Sequence, residues 1–240
     1  RNGWESTPTV RIDVMDAYDF DIQTKRSEEA FPLARTEYRR LWLDAVNGSM
    51  SHEKPHGSAK VVYDAKKGHT AFNIKFDEDT ELTGYIKMKL WVEAEGNDDM
   101  DIFCSIQKMD KDGKFLPTNV LGAPHPGTTG RLRVSMRELD ESKSTDYRPQ
   151  HTYKKSEKLK AGEIVSIEIE FWPISRIWHA GEQLRVDIAG HYFREGWFEP
   201  FDYDYINEGK HIIHAGGEYD SYLQVPVIPP KYIAGNYVYR

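Results

Sequence analysis

Short segments in which apolar and polar residues alternate recur throughout this sequence of 240 residues. In residues 86–92 every even position is apolar, whereas the odd positions carry lysine or tryptophan. Residues 165–171 repeat the pattern at odd positions, with Glu168 and Glu170 facing the other way, and residues 184–188 repeat it at even positions. Because successive side chains of a strand point to opposite faces, each segment predicts a half-buried antiparallel strand with a solvated outer face.

Weaker alternation and turn signals complete an all-β pattern. Asp112-Gly113 is typical of the tip of a hairpin, and Pro226, inside the last strand pattern, indicates an edge position or a bulge. Residues 27–36 favour at most one short turn, and no segment has the pattern of a long amphipathic helix. The predicted fold class is therefore all-β, a two-sheet antiparallel β-sandwich of jelly-roll type. The weaker strands are predicted at 9–15, 38–46, 59–65, 71–76, 101–110 and 219–228.

Length and charge bear on the domain organisation and on the class of partner. A β-sandwich often reaches this length as one unit, so we predict a single jelly-roll domain over residues 1–230 and a C-terminal tail at 231–240. The net charge of -7 argues against nucleic acid and against an anionic membrane surface as partners. No apolar run approaches the roughly 18 residues of a membrane span.

Cysteine usage and the first residues bear on the origin of the chain. The single cysteine, Cys104, excludes an intrachain disulfide and fits a reducing compartment, so we predict a cytoplasmic location. The sequence opens with RNGWESTPTV and without Met, which we interpret as the middle of a longer protein.

Catalytic and metal-binding patterns receive little support from the sequence. No serine has Gly both two residues before and two residues after it, as the nucleophile elbow of an α/β-hydrolase requires. Cys104 lies inside an alternating strand, where a packing role explains it better than a nucleophilic one. His211 and His214 are three apart in an extended segment, so their side chains point to opposite faces and do not suit a metal. We therefore predict no catalytic residue, no metal site and no cofactor in this chain.

The stretch HYFREGWFEPFDYDY, residues 191–205, contains seven aromatic residues among fifteen. At about 200 Å² each, the rings carry roughly 1,400 Å² of surface, and half of that exceeds the ~300–600 Å² that a monomer leaves in one apolar patch. We predict a loop whose rings face another protein surface or a ligand. A second interpretation stays open, in which most rings fold back over one end of the sandwich. The predicted interface or ligand-facing residues are Tyr192, Trp197, Phe198, Phe201, Tyr203 and Tyr205, with Trp197 and Phe198 as anchors.

Several segments, taken in order, are similar to a known family. The chain resembles the C-terminal non-catalytic domain of the CocE/NonD and X-Pro dipeptidyl-peptidase hydrolases, which are S15-like serine hydrolases. The segments that carry the resemblance are FPLARTEYRRLWLDA, DIFCSIQKMDKDGKF followed by GRLRVSMRELD, KLKAGEIVSIEIEFWPISRIWHAGEQLRVDIAG, and GKHIIHAGGEYDSYLQVPVIP. Each is modest alone, but their common order makes the match specific.

The resemblance implies a jelly roll of galactose-binding-domain-like topology that follows an α/β-hydrolase domain. The Ser, Asp and His of that catalytic domain are expected upstream of Arg1, so no catalytic residue is carried over to this chain, and whether the chain alone is an enzyme is left open. The implied function is that of an accessory domain which packs on its own upstream α/β-hydrolase domain and walls its active site. The longer protein that contains both domains, called the parent below, is expected to hydrolyse acyl esters, amides or X-Pro dipeptides. A second copy of the same protein, in a homo-oligomer, is the other kind of partner expected.

A different class of function also fits the aromatic stretch. In a stand-alone carbohydrate-binding β-sandwich, Trp197, Tyr203 and Tyr205 would form a platform for sugar rings. Nearby polar side chains would then hold the hydroxyl groups of the sugar, and Asp202, Asp204 and Asn207 are suitably placed in the sequence for this role.

Overall fold

The regular secondary structure of the chain is almost entirely β-strand in a computed structural model that describes residues 2–17, 20–120, 123–125, 127–193, 205–233 and 236–238. Within these residues the helical elements are two 3-10 helices, Trp4–Ser6 and Val134–Met136. The strands are β1 (Val10–Ala17), β2 (Phe20–Glu28), β3 (Glu37–Asp44), β4 (Ser49–Ser51), β5 (Ala59–Asp64), β6 (His69–Lys75), β7 (Thr80–Gly84), β8 (Lys87–Glu95), β9 (Asp101–Met109), β10 (Phe115–Leu116), β11 (Thr118–Val120), β12 (Ala123–His125), β13 (Thr128–Arg133), β14 (Val165–Glu170), β15 (Ile174–Trp178), β16 (Gln183–Ala189), β17 (Lys210–Ala215), β18 (Tyr222–Ile228), β19 (Lys231–Ile233) and β20 (Asn236–Val238).

Two layers of strands enclose the main core. One layer has the order β13-β9-β16-β6, and all its neighbours are antiparallel. The other layer is built around β8, which pairs with β14 on one side and with β17 and β18 in succession on the other. Strand β5 extends this layer beyond β17, and β3 extends it beyond β18. The fold is therefore the predicted all-β sandwich.

Parallel contacts make the sheet mixed, whereas the sequence predicted a purely antiparallel one. Strand β4 pairs with β3 and makes one parallel contact to β6, at Ser49 and Asn73, which joins the two layers. A second parallel contact, between Met15 and Arg176, joins β1 to β15. Both contacts are single pairs between short or peripheral elements, which leave no periodic signal in the sequence.

The three strongest alternations have the predicted register. Strand β8 buries Met88, Leu90 and Val92, each of which is 0% exposed. Ile167 of β14 and Val186 of β16 are buried in the same cluster, to which strands of both layers contribute. A shift by one residue would turn all of these side chains outward, so burial of the apolar face fixes the register.

The outer faces of these strands are less solvated than the alternation predicts. Lys87 is only 6% exposed, and its Nζ lies 3.1 Å from Oε1 of Glu168 on the adjacent strand. The segment between the second 3-10 helix and β14 covers this side, since Tyr147 stacks on Tyr38 with ring centroids 4.7 Å apart. The outer face is therefore not open to solvent at Lys87, because an irregular segment packs over it.

Two turn and strand predictions have different outcomes. The hairpin at Asp112-Gly113 is present, with Phe115 of β10 paired to Met109 of β9. Pro226 does not lie at an edge, because β18 has partners on both sides. On one side, β18 pairs with β8 up to Gln224 and with β7 from Val227 onward. Pro226 lies between these two ladders, where neither β8 nor β7 takes a hydrogen bond from its backbone, so the missing N–H is tolerated.

The N-terminal strands form a hairpin outside the main sandwich. Strands β1 and β2 pair along their length, with register irregularities, and attach to the rest of the sheet through β15. Ile12, Val14 and Leu33 form a second, smaller core cluster with Ile177 and Ile228. At the other end of the chain, β19 and β20 pair with each other inside the predicted 231–240 tail.

Candidate functional site: an aromatic face at the edge of the sandwich

Tyr192 and Tyr205, two of the six predicted site residues, lie together on the outer side of β9. Both rings contact Phe103 edge-on, with centroids 6.3 Å and 5.3 Å from its ring. The backbone N of Tyr192 also donates a hydrogen bond of 3.3 Å to the hydroxyl of Tyr205. Trp197, Phe198, Phe201 and Tyr203 lie outside the described residues.

Asn207 holds the base of the aromatic stretch. Its Nδ2 donates to the carbonyl oxygens of Gly190 at 2.6 Å and of Asp101 at 2.9 Å, and its Oδ1 accepts a hydrogen bond of 2.7 Å from the N of Asp101. The side chain is 1% exposed. The prediction that Asn207 holds sugar hydroxyls is therefore wrong, because its polar atoms already connect the ends of β16 and β9 inside the protein.

The buried ring of His211 contacts the side chain of Asn207. Its Nε2 lies 3.2 Å from Oδ1 of Asn207, and its Nδ1 lies 3.2 Å from the hydroxyl of Tyr63. Oδ1 of Asn207 can only accept, so the neutral tautomer carries its proton on Nε2 and accepts at Nδ1 from Tyr63. Burial lowers the pKa of His211 to about 4, so the ring is neutral at physiological pH.

Gly190 is required for close approach and not for backbone freedom. A Cβ at this position would lie 1.9 Å from the carbonyl oxygen of Ala65 and 2.7 Å from Nδ2 of Asn207. No side chain fits that space, and the glycine therefore lets β16 end against Asn207. The aromatic stretch accordingly begins from a fixed point.

Trp172 is the most exposed large aromatic residue of this region, at 77% exposure. Its backbone is held firmly, because its N donates to the carbonyl of Thr129 at 3.3 Å and its carbonyl accepts from Oγ1 of Thr128 at 2.6 Å. Gly130 makes this approach possible, since a Cβ there would lie 2.6 Å from the carbonyl oxygen of Glu170. The indole is therefore displayed in solvent from a rigid position.

Tyr153 is a second exposed ring, at 67% exposure. Its φ angle is 51°, which places a non-glycine residue in the left-handed region. That conformation costs on the order of 1–2 kcal/mol, and residues held in it cluster at functional sites. The His151 ring lies beside it, with the centroids 5.6 Å apart.

Three neighbouring depressions share these rings. A cleft of about 740 Å³ is lined by Phe103, Tyr153, Trp172 and Tyr192 among others. A depression of about 430 Å³ adjoins Phe103, Tyr153 and Tyr205, and one of about 530 Å³ adjoins Trp172 and Tyr192. We call this surface the aromatic face and define it by Phe103, Tyr153, Trp172, Tyr192 and Tyr205.

Charged residues along the aromatic face are paired. Arg133 binds Asp101 through two hydrogen bonds of 2.7 and 2.8 Å, which raise the pKa of Arg133. Arg148 lies 2.6 Å from Glu170, whose hydrogen bond raises the pKa of Arg148. Arginine and aromatic residues are both enriched at protein interfaces.

Trp172 and Tyr153 are not among the residues predicted from the sequence. A signal for Trp172 exists, because Phe171 continues the buried positions of β14 and the next residue must then point outward. Pro173 follows it and ends the strand pattern. Tyr153 has no comparable signal, since residues 137–164 show neither strand nor helix periodicity.

Nucleophile-like groups in the described part of the chain have structural roles. Ser221, His214 and Glu93 lie close together, but Oγ of Ser221 donates to the backbone carbonyl of His214 at 2.6 Å and not to its ring. The His214 ring lies 2.9 Å from Oε2 of Glu93. Cys104 is buried in the core, and burial raises the pKa of its thiol. Among the described residues, no group of three or more His, Cys, Asp or Glu could hold a metal ion.

Comparisons with known proteins agree with this architecture. Residues 2–224 match the family model described as X-Pro dipeptidyl-peptidase C-terminal non-catalytic domain. A CocE/NonD family hydrolase from Staphylococcus aureus superposes with a TM-score of 0.89 and 36% sequence identity, over 95% of this chain and 43% of that chain. The chain therefore spans less than half the length of that hydrolase. A search of curated protein sequences gives no match.

More distant structures share the fold alone. An aminopeptidase from a marine sediment archaeon, Thaumarchaeota archaeon, gives a TM-score of 0.60 at 12% identity, over 85% of this chain and 38% of that chain. An α-amino acid ester hydrolase gives a TM-score of 0.56 at 14% sequence identity, over 79% of this chain and 36% of that chain.

The fold and the family match define a non-catalytic β-sandwich domain of a hydrolase. The chain belongs to the family of X-Pro dipeptidyl-peptidase C-terminal domains, which includes the corresponding domain of CocE/NonD hydrolases. Among the described residues, no helix has the length and apolar character needed to cross a membrane.

Proposed function

We propose that this chain is the accessory domain of a longer CocE/NonD-type serine hydrolase, and that its aromatic face packs on the upstream α/β-hydrolase domain and walls its active site. Trp172 carries the proposal, because it is 77% exposed while its backbone is fixed by hydrogen bonds to β13. A rigid, exposed tryptophan beside two depressions has the properties of an anchor for a partner surface.

The surroundings of Trp172 support an interface. Tyr153 adds a second exposed ring, and the partly exposed Tyr192 and Tyr205 continue the surface across Phe103. Aromatic patches of this extent mark interaction sites on proteins, and aromatic residues and arginine are enriched in interfaces. Because the backbone of Trp172 is already fixed, binding would not have to order that part of the chain.

An upstream domain is the partner that the comparisons favour. The matching family is described as a C-terminal domain, and the chain covers only 43% of the Staphylococcus aureus hydrolase. Strand β1 also reaches the aromatic face, because Met15 lines the same depression as Trp172. The first strand of this chain therefore borders the surface that we assign to the preceding domain.

The chemistry of the parent follows from the family and not from the residues described above. A CocE/NonD parent would hydrolyse acyl esters, amides or X-Pro dipeptides with a triad in its upstream domain. The residues that separate these substrates would lie largely in that domain, so this chain supports the hydrolase class and not one substrate. A cytoplasmic location fits the single buried thiol of Cys104, and localisation of a tagged parent would test it.

The test uses the upstream region and this chain as separate polypeptides. We expect them to bind each other, and we expect Trp172→Ala to weaken binding at least tenfold, as for an aromatic anchor. Trp4→Ala is the matched control, because Trp4 is 70% exposed and lies outside the aromatic face. Equal affinity for wild type and Trp172→Ala, measured by calorimetry, would show that the aromatic face is not part of the domain contact.

A carbohydrate-binding module is the second candidate. The observation in its favour is the cleft of about 740 Å³, where Trp172 and Tyr153 stand beside the polar side chains of Gln150 and Glu170. Exposed rings beside hydrogen-bonding groups suit a sugar, although Gln150 and Glu170 already bond to each other at 3.2 Å. Binding of a soluble oligosaccharide that is lost in Trp172→Ala would favour this function over the accessory domain.

A further inference from the structure

A lysine with no solvent exposure lies at the junction between the N-terminal hairpin and the sandwich. Nζ of Lys108 is 2.6 Å from Oδ1 of Asp16, 2.8 Å from Oε2 of Glu182 and 2.9 Å from the carbonyl oxygen of Ile177. The side chain is 0% exposed. These contacts join β9, β1 and the end of β15, so the ammonium group connects the hairpin to the core.

His179 extends this cluster to the surface. Its Nε2 lies 3.2 Å from Oδ2 of Asp16, and its Nδ1 lies 3.2 Å from Oδ2 of Asp79. Ionised carboxylates only accept hydrogen bonds, so both contacts require a proton on each ring nitrogen. Neutral imidazole carries one proton and can satisfy only one of the two carboxylates. The geometry is therefore that of an imidazolium.

Protonated His179 also balances the formal charges of the groups that contact one another in this cluster. Lys108 and Arg176 are the cations from β9 and β15, and Arg176 donates to the carbonyl of Asp16 at 3.1 Å. Asp16, Glu182 and Asp79 are the anions, from β1, the loop after β15 and the segment after β6. The cluster therefore has three carboxylates and two basic side chains besides His179, and protonated His179 supplies a third positive charge.

Two further lysines lie near this loop. Lys75 and Lys111 flank Gly181 in the loop that follows His179. Burial alone would lower the pKa of His179, but its hydrogen bonds to Asp16 and Asp79 outweigh burial and raise the pKa above the usual value. The pKa of Asp16 is lowered, since its hydrogen bonds to Lys108 and His179 outweigh its own burial.

Apolar packing and a second ion pair also attach the hairpin to the sandwich. Ile12 and Val14 of β1 pack with Ile177 of β15 and with Ile228 of β18. Strand β1 pairs with β15 through the single contact between Met15 and Arg176. A second ion pair holds the other strand, where Arg26 lies 2.6 Å from Oε1 of Glu81. Because the ladder between β1 and β15 is a single pair, the side-chain cluster at Asp16 adds polar contacts to a connection that otherwise rests on the apolar cluster and on Arg26.

We propose that His179 is a protonation-dependent latch, which fixes the N-terminal hairpin on the sandwich when both ring nitrogens carry a proton and loosens it when one proton leaves. A latch of this kind acts within the chain and goes beyond the proposed domain contact. Since Met15 lies both on β1 and at the border of the aromatic face, loosening the hairpin would also change one rim of that face.

The direction of the effect follows from the raised pKa. A histidine whose pKa is higher in the folded protein stabilises the hairpin fully below the ordinary value of about 6.5. That stabilisation is lost as the pH rises through the folded-state pKa, which lies above 6.5. The latch is therefore closed in mildly acidic solution and opens towards alkaline pH.

Hydrogen exchange of the 240-residue chain, corrected for intrinsic rates, tests the latch between pH 6.0 and 8.5. Amides of residues 10–17 should lose roughly tenfold in protection, the scale of one hydrogen bond to a charged group. His179→Gln should show the low protection at every pH, because glutamine offers only one donor site at this geometry. His69→Gln, a change at an exposed histidine on β6, should behave like wild type.

A second variant gives a reading that does not depend on exchange. Asp79→Asn removes one negative charge but can keep the contact of its Oδ1 with the N of Ala180. The NMR titration midpoint of His179 should lie above 6.5 in wild type and fall in Asp79→Asn. A wild-type midpoint at or below 6.5, or a pH dependence of protection that survives in His179→Gln, would overturn the latch. Neither result bears on binding of the upstream domain.

Discussion

Acidification should destabilise this chain through His211, which supports the base of the aromatic stretch. The ring is 1% exposed and neutral, and burial lowers its pKa from 6.5 to about 4. In the unfolded chain the same ring takes up a proton near pH 6.5. Between pH 6.5 and about 4 the unfolded state therefore binds more protons than the folded state, and stability falls as the pH is lowered.

The size of the effect follows from the two pKa values. Each pH unit between them corresponds to ~1.36 kcal/mol, so the full effect is about 3 kcal/mol, and about 2 kcal/mol of it is lost between pH 7 and pH 4.5. Loss of the Tyr63 hydrogen bond contributes little, because that hydroxyl can turn and accept from protonated Nδ1. The cost is mainly that of placing a charge in the core.

Urea denaturation at pH 7 and pH 4.5 measures the effect when wild type is compared with His211→Gln. The variant is less stable at both pH values, because it loses the ring contact with Tyr63. Its free energy of unfolding should nevertheless depend less on pH, by about 2 kcal/mol over this interval. His179 and His151 titrate in both proteins and cancel in the comparison, and His56→Gln, at an exposed site, is the control.

An equal pH dependence in wild type and His211→Gln would refute the reasoning. That result would mean that the folded protein accommodates imidazolium at residue 211. The contact with Asn207 would then have to survive protonation, and the neutral tautomer assigned above would be wrong.

Three further predictions concern the core, the base of the aromatic stretch and catalysis. Ile167→Asp should destabilise the chain by about 4 kcal/mol or more, because it buries an unpaired charge, whereas Glu168→Ala should cost about 1–2 kcal/mol by leaving Lys87 unpaired in a partly buried site; urea denaturation compares the two. Asn207→Ala should cost about 2–3 kcal/mol of stability, since it leaves the N of Asp101 and the carbonyl of Gly190 without their hydrogen-bond partner. Amide hydrogen exchange in residues 190–193 should become faster in this variant, and Asn97→Ala, the control, should change it less. A serine-directed phosphonate should not label Ser221, because its hydroxyl faces a backbone carbonyl; mass spectrometry of the treated chain would show a labelled peptide if this is wrong.

Periodicity predicted the parts of the fold in which one face is fully buried. The registers of β8, β14 and β16 were predictable because a shift of one residue would expose side chains such as Leu90, Ile169 and Val186, all of which are 0% exposed. The same reasoning failed for Lys87, whose outward position is covered by residues distant in sequence. Alternation shows which way a side chain points and does not show what lies over it.

The candidate site was less predictable, because its members come from separate elements. The composition of residues 191–205 drew attention to Tyr192 and Tyr205, which do lie together on Phe103. Trp172 and Tyr153 join them only through the packing of β13 against β14 and through an irregular segment. The cluster of Lys108 and His179 could not be predicted either, since its residues are spread from β1 to the loop after β15 and follow no motif.

The central claim, that the aromatic face is covered by the catalytic domain, is tested most directly by hydroxyl-radical footprinting. Oxidation of Trp172 would be measured in the 240-residue chain and in the longer hydrolase that we propose contains it, with the half-buried Trp42 as an internal reference. We expect the oxidation rate of Trp172 to fall several-fold in the longer protein, because an indole that is 77% exposed in this chain becomes covered, while the rate at Trp42 stays the same. Equal oxidation of Trp172 in both proteins would contradict the account, since the face would then remain open to solvent.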